Sequence, residues 1–270
     1  MPFTLSHAVA ALPFRKLKPI WPALVIGTFA PDLQYFLFIS DDDRSWHRYP
    51  EVLVYAIPFA LLALWVFDRV VKRPAIELLP SGVQHRLQDH VEPLSFSGWK
   101  QLGAIVTWIA AGIATHIVWD QFTHSDSWLF SHWSLLQRSV SLPLERSYTL
   151  AHLLQHISTV GGFLLLCAWC AAWYHRTSPV PKMYGEEFSL RLKLLAVLTM
   201  GVVGLLMGYP LAIWRLATHE LPIKRSFFIV TVFEATTLMF CVQLLIFGLV
   251  LTLNSRWRQL PGRQLQEPGD

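Results

Sequence analysis

Formal charge is scarce in this sequence. Of 270 residues, 22 are Lys or Arg and 18 are Asp or Glu, so only 15% are charged, against about 25% in an ordinary soluble domain. With 53% of residues hydrophobic and 13% aromatic, the chain holds more apolar surface than one soluble core of this length can bury. A water-soluble monomer is not expected. Cysteine is scarce too: Cys167, Cys170 and Cys241 all fall inside apolar runs, which argues against a disulfide framework or a thiolate zinc site. Internal repeats and low-complexity tracts are absent. The net charge of +4 is not gathered into a stripe or an arm but sits at the edges of apolar runs. Membrane lipids, not nucleic acid, are therefore the implied partner.

A bilayer core needs about 20 apolar residues per helix. Five runs meet or approach that length: Val52 to Phe67, Gln101 to Trp119, Ile157 to Tyr174, Leu194 to Trp214, and Phe227 to Leu253 with Glu234 inside it. The first is short and holds Pro58, but extension to Val71 lets Asp68 and Arg69 snorkel at the interface. A sixth stretch, Pro19 to Ile39, is interrupted by Pro22 and Pro31 and carries Asp32 near its middle. Since a lone carboxylate in hydrocarbon is costly, it is expected to be a broken or re-entrant segment with Asp32 turned towards a polar cavity. The fold class is thus all-α: a polytopic helical membrane protein with about five transmembrane helices and an N-terminal broken segment. Arg15, Lys16 and Lys18 follow the first weakly apolar helix instead of preceding it, so no cleavable signal peptide is expected.

With five spans, residues 1 to 51, 120 to 156 and 215 to 226 share one membrane face. That face carries 10 Lys and Arg against 12 on the other, too even a split to set sidedness. The stretch Arg73 to Lys100 reads as a loop with a short helix.

Eleven histidines would mean little if scattered, but His116, Asp120 and His124 stand at i, i+4 and i+8 at the end of the second span. Four residues advance about 400°, so the three form one stripe with about 6 Å of rise between neighbours. His116 and His124 are then too far apart for one ion. Two ions with Asp120 between them is the natural reading, and imidazole with carboxylate suits zinc. His152 and His156 form a second i, i+4 pair before the third span. His7, Asp32 and His47 belong to the same membrane face, so eight potential ligands converge there. His85, His90, His132, His175 and His219 lack such spacing and read as solvated or interfacial.

Several segments together resemble a bacterial integral-membrane family of unknown function. They are the opening Met1-Pro2-Phe3-Thr4-Leu5-Ser6-His7, Ala30-Pro31-Asp32, Val71-Lys72-Arg73-Pro74 followed by Leu79-Pro80, the His116 to His124 segment, and Leu153 to Gly161. The ordered likeness covers residues 1–165, a membrane domain carrying the His/Asp cluster. Residues 166–253 then hold the remaining transmembrane helices of the same bundle, and 254–270 a polar tail. That family is in turn distantly similar to membrane-bound metal-dependent hydrolases and to the all-helical zinc phospholipase C and single-strand nuclease group. In the order of ligands used by those enzymes, His7, Asp32 and His47 come first, His116 and Asp120 match a His-x3-Asp pair, His124 follows, and His152 with His156 take the last pair.

The departures are specific. His156 stands where those enzymes use a carboxylate, His124 follows Asp120 more closely, and His47 lacks a Thr-His-Ser continuation. The resemblance implies metal ligands His7, Asp32, His47, His116, Asp120, His124, His152 and His156, with Asp120 and Asp32 in catalytic roles. It also implies a divalent, zinc-type cofactor and location in the bacterial cytoplasmic membrane. The expected function is a metal-dependent hydrolase acting on a phosphoester or lipid-like substrate at the membrane face. The alternative is a non-enzymatic membrane protein that binds a structural or transported divalent metal.

Overall fold

The structure, a computed structural model, describes residues 4–17, 20–37, 47, 50–142, 146–180, 188–218 and 225–253. The tail from Asn254 to Asp270, His219, Met1 to Phe3, and the residues flanking His47 in Trp46-His47-Arg48-Tyr49 lie outside that set.

The chain is helical nearly throughout. A 3-10 helix, α1 (Thr4–Phe14), is followed by α2 (Trp21–Phe29), a 3-10 turn over Ala30–Asp32, and α3 (Leu33–Leu37). The expected break in the apolar stretch therefore falls at Pro31, whose missing N–H and fixed φ end one helix and begin another; Pro19 and Ile39 lie outside the described residues. Then come α4 (Val52–Glu77), α5 (Trp99–Thr123), α6 (Leu150–Arg176), α7 (Leu190–Thr218) and α8 (Arg225–Leu253). Among the described residues five helical stretches are long and apolar enough to cross a membrane: Val52–Glu77, Trp99–His132, Leu150–Arg176, Leu190–Thr218 and Phe228–Leu253. They coincide with the five apolar runs. α4 outlasts its run because Lys72 pairs with Asp68 at 2.5 Å, one turn away, so a buried carboxylate is neutralised within the helix.

The one strand pair among the described residues is a hairpin of β1 (Ser139–Leu142) and β2 (Arg146–Thr149), antiparallel, with Val140 opposite Tyr148. It was not anticipated. The polar-apolar alternation of Ser139-Val140-Ser141-Leu142 is the period-2 signal that could have shown it.

Two compact units are formed, Met1–Trp65 with Leu94–Arg176, and Val66–Pro93 with Thr177–Asp270. In the first, Ala23, Ala30, Ala56, Ala60, Ile105, Ile109 and Ile113 make the core. Small residues let the backbones approach closely. A Cβ on Gly27 of α2 would lie 2.3 Å from the carbonyl oxygen of Ile109, and one on Gly112 of α5 would lie 2.4 Å from that of Leu24. Helices packed through small residues this way gain dispersion contacts and need no hydrophobic driving force, as inside a bilayer. In the second unit, Gly208 of α7 packs against Thr236 of α8 in the same manner. The fully buried Lys193 donates from Nζ to Gln84 Oε1 at 2.9 Å, and Gln84 Nε2 donates to Glu77 Oε2 at 3.1 Å. That buried polar chain is closed by hydrogen bonds of ordinary length.

Candidate metal centre

The close approach of α2 and α5 sets the site. It brings the turn after α2, with Asp32, against the C-terminal half of α5, which carries His116 and Asp120. His124 is the C-cap of α5, its N–H bonded to the Asp120 carbonyl oxygen at 3.1 Å. α1 lies across them and supplies His7, held in place by Ser6, whose hydroxyl donates to the Thr159 carbonyl of α6 at 3.0 Å. His47 completes the group. Six of the eight side chains expected from sequence thus meet within the first unit.

Four ligand atoms form a ring in which imidazole and carboxylate alternate. His47 Nε2 lies 3.5 Å from Asp32 Oδ1 and 3.6 Å from Asp120 Oδ2; His116 Nε2 lies 3.4 Å from Asp32 Oδ1 and 3.5 Å from Asp120 Oδ2. The other oxygen of Asp120 faces His7 Nε2 at 3.8 Å and His124 Nδ1 at 3.4 Å. The carboxylate of Asp120 therefore stands between two groups of ligands, as the i, i+4, i+8 spacing suggests.

Those distances are informative because they are too long for the bonds that charged pairs usually make. An imidazolium pressed against a carboxylate in a dry site would settle at about 2.7–2.9 Å. Four ligands around an ion at about 2.0–2.1 Å would be separated by tetrahedral edges of about 3.3–3.4 Å. The buried atoms Nε2 of His7, His47 and His116 and Oδ1 of Asp32 have no hydrogen-bond partner among the described residues, whereas a buried polar atom normally has one. The contrast with the closed Lys193 chain of the second unit is plain. The trios His7, His116, Asp120 and Asp32, His47, His116 each bring one ligand atom per residue to within 4.8 Å of one another, so the donor set and its geometry fit a divalent cation.

Outer contacts orient the ligands. His116 Nδ1 donates to the Thr28 carbonyl oxygen at 2.8 Å, which turns its Nε2 towards the carboxylates. Thr4 Oγ1 donates to Asp32 Oδ2 at 2.8 Å and aims Oδ1 inward. The Gln34 amide lies 3.3 Å from His47 Nδ1. Burial, with His116 stacked 3.9 Å away, pushes the His7 imidazole down to about 4. Its ring is neutral at pH 7 and offers a lone pair. For Asp32, burial alone would raise the carboxyl, but the facing His116 and His47 rings outweigh it and hold the group well below the ordinary carboxylate range. Replacing Thr4 by Val should weaken metal binding by about tenfold, the lower end for loss of an outer contact, as read by competition with a chromogenic chelator.

His152 and His156 are not brought to this cluster. Both are exposed on α6, where they stack on each other with ring centroids 4.9 Å apart and meet the Tyr148 ring edge-on. The part of α6 that does touch the site region is the next turn, at Thr159 and Gly162. The last ligand pair implied by the resemblance is therefore not brought to the cluster among the described residues. The double replacement of His152 and His156 by Ala is expected to leave metal content unchanged, which elemental analysis would check. Sequence reasoning missed Thr4, Thr28, Gln34, Gly27 and Gly112. The glycines inside apolar helices were the available signal; Thr28 acts through its backbone and left none.

Beside the ring a polar cavity of about 240 Å³ is lined by His47, Asp120, Gln121, Asp126, Ser127 and Trp128, with Ile117. Asp120 reaches this cavity, while Asp32 lies behind it and is 1% exposed.

Fold and site together define a polytopic helical membrane protein with a buried His/Asp cluster at one end of a span. The chain belongs to the family described as a domain of unknown function, DUF4184, whose model matches residues 1–253. The match thus continues past residue 165 into the last two spans. No curated protein and no solved structure matches the chain.

Proposed function

We propose that the protein is a membrane-embedded hydrolase that uses a divalent cation of zinc type, acting on a phosphoester or lipid-like ester at the membrane face. The observation that carries this reading is the ring of Asp32, His47, His116 and Asp120, with ligand atoms 3.4–3.6 Å apart. The nitrogen and oxygen donors suit zinc. His7 and His124, on the far oxygen of Asp120, would hold a second cation. The order of these ligands along the chain, similar to that of metal-dependent membrane hydrolases, supports the same assignment and a bacterial cytoplasmic membrane as its setting.

A cation held there would polarise the ester oxygen and lower the pKa of a nearby water. The chain's own residues do the rest. Asp120, whose two oxygens face the two ligand groups, holds them together at the wall of the polar cavity. The attacking water gives its proton to water in that cavity as the new bond to the ester centre forms, the bond to the leaving oxygen breaks, and that oxygen takes up a proton from the same water. One water is consumed, and an acid and an alcohol are released. Asp32, deeper and hydrogen-bonded to Thr4, keeps its charge and holds the ring together.

The test is hydrolysis of bis(p-nitrophenyl) phosphate and of a phospholipid by the zinc-loaded, full-length protein in nanodiscs. Turnover that requires zinc and falls by at least about 100-fold in Asp120→Asn, together with the zinc content, supports the reading. Zinc retained with no turnover on any phosphoester or carboxylic ester would overturn it in favour of a structural or transported metal.

A further inference from the structure

A second cavity touches the cluster from the opposite direction to the polar one. It has a volume of about 560 Å³ and runs between α1, α5 and α6, within the range of about 300–1,000 Å³ usual for small-molecule sites. Its walls are almost wholly apolar: Val9 and Ala10 from α1, Val118 from α5, and Leu154, Ile157 and Leu165 from α6. At its inner end is His7, whose Nε2 faces Asp120. The outer rim is continuous with the bare face of α6, since Ile157 and Leu165 are each 57% exposed and Val118 on α5 is 58% exposed. In a chain of this kind such a face meets hydrocarbon, not water.

Gly161 shows that the space is open by construction. A Cβ there would meet nothing within 4 Å, whereas at the adjacent Gly162 it would lie 2.8 Å from Ser6 Cβ. One glycine lets α1 seat His7; the other leaves room in the groove.

We propose that this groove holds a hydrocarbon chain of the substrate, so that the ester presented to the His/Asp cluster belongs to an amphiphile drawn sideways from the bilayer. The proposal rests on the hydrolase reading above and names its substrate class. The chain enters between α5 and α6 past Val118 and Ile157 and ends against His7. The ester then lies at the inner end of the groove, where His7 faces Asp120, and the apolar walls keep water off the chain behind it. A free, water-soluble phosphoester would leave the groove empty and gain nothing from it, since binding through apolar contact scales with the surface removed from water.

The test uses full-length, zinc-loaded protein in phosphatidylcholine nanodiscs containing a small fraction of phosphatidylcholine with a diazirine at mid-chain. After photolysis, adducts are mapped by peptide mass spectrometry. Adducts are expected on the segment 157–165 and on the peptide carrying Val118, and Gly161→Phe, which fills the groove, should lower them by about tenfold. Adducts on the lipid-facing residues of α7 and α8 and the zinc content should not change. If Gly161→Phe does not fold, Val118→Trp narrows the groove from the opposite wall and carries the same expectation. Labelling of 157–165 that equals that of α7 and α8 and survives both substitutions would overturn the groove as a chain site, whatever the metal content. Wild-type protein that binds no zinc would overturn the hydrolase reading instead, and with it the assignment of the chain to a substrate.

Discussion

Asp120→Ala is expected to strip the protein of bound divalent metal. The carboxylate touches four imidazoles, those of His7, His47, His116 and His124, at 3.4–3.8 Å. Its removal takes an oxygen from each of the two ligand groups and leaves the imidazoles facing one another with only Asp32 to balance them. Loss of an outer-shell partner typically costs about 10–100-fold in metal affinity, and loss of a shared ligand must exceed that. Elemental analysis of wild-type and variant protein, purified side by side in detergent, should show the variant with less than about a tenth of the wild-type metal. Asp120→Asn should do nearly as much, because an amide nitrogen is no ligand for a cation. Equal metal in all three proteins would show that whatever ion is present sits elsewhere.

The second large effect is expected at a residue that touches no ligand. Gly112 lies where α5 meets α2, and a Cβ there would stand 2.4 Å from the Leu24 carbonyl oxygen and 2.8 Å from Gly27. Backbone cannot step aside as a flexible side chain can. Gly112→Leu must therefore push α2 away from α5, and α2 carries both the Thr28 carbonyl that orients His116 and the turn that presents Asp32. Overpacking of this sort costs about 1–3 kcal/mol and sometimes more, read as a lowered unfolding midpoint, and metal binding should fall with it. Gly103→Ala in the same helix is the control. A Cβ at Gly103 meets nothing within 4 Å, so this change should be neutral or stabilising by up to about 1 kcal/mol through helix propensity. If the two variants behaved alike, the close crossing of α2 and α5 would not be what positions the site.

Much of this architecture is legible before any coordinates, for reasons that differ from element to element. The five spans follow from length and apolarity alone, because hydrocarbon leaves the backbone no partner but itself. His116, Asp120 and His124 follow from helical spacing, since a single regular element relates them. His7, Asp32 and His47 are different. No local rule joins residues so far apart in the chain, and they could be grouped only through their common membrane face and the likeness in ligand order. His152 and His156 satisfy the same local spacing as His116 and Asp120, yet they lie on the exposed side of α6. A helical repeat says which side chains share a face but not which face turns inward. What fixes that orientation is the contact of Gly162 with Ser6 and the hydrogen bond from Ser6 to Thr159, neither of which any hydropathy pattern encodes.

The hairpin of β1 and β2 shows the complementary limit. Its four-residue strands stand at the shortest length at which alternation is a signal, between two long helices. The outer contacts from Thr4, Thr28 and Gln34 escape notice for another reason. They act by completing a hydrogen bond to a ligand, and nothing in the type or spacing of those residues marks them.

On the proposed reading, Asp32, His47, His116 and Asp120 surround a divalent cation. The most direct measurement is zinc K-edge X-ray absorption on the full-length protein in detergent, loaded with one equivalent of zinc. The expected spectrum has nitrogen and oxygen neighbours only, at about 2.0–2.1 Å, with the multiple-scattering signature of two imidazoles. A shell of six oxygens without imidazole, or any sulfur from the three cysteines, would place the ion outside this ring and contradict the account.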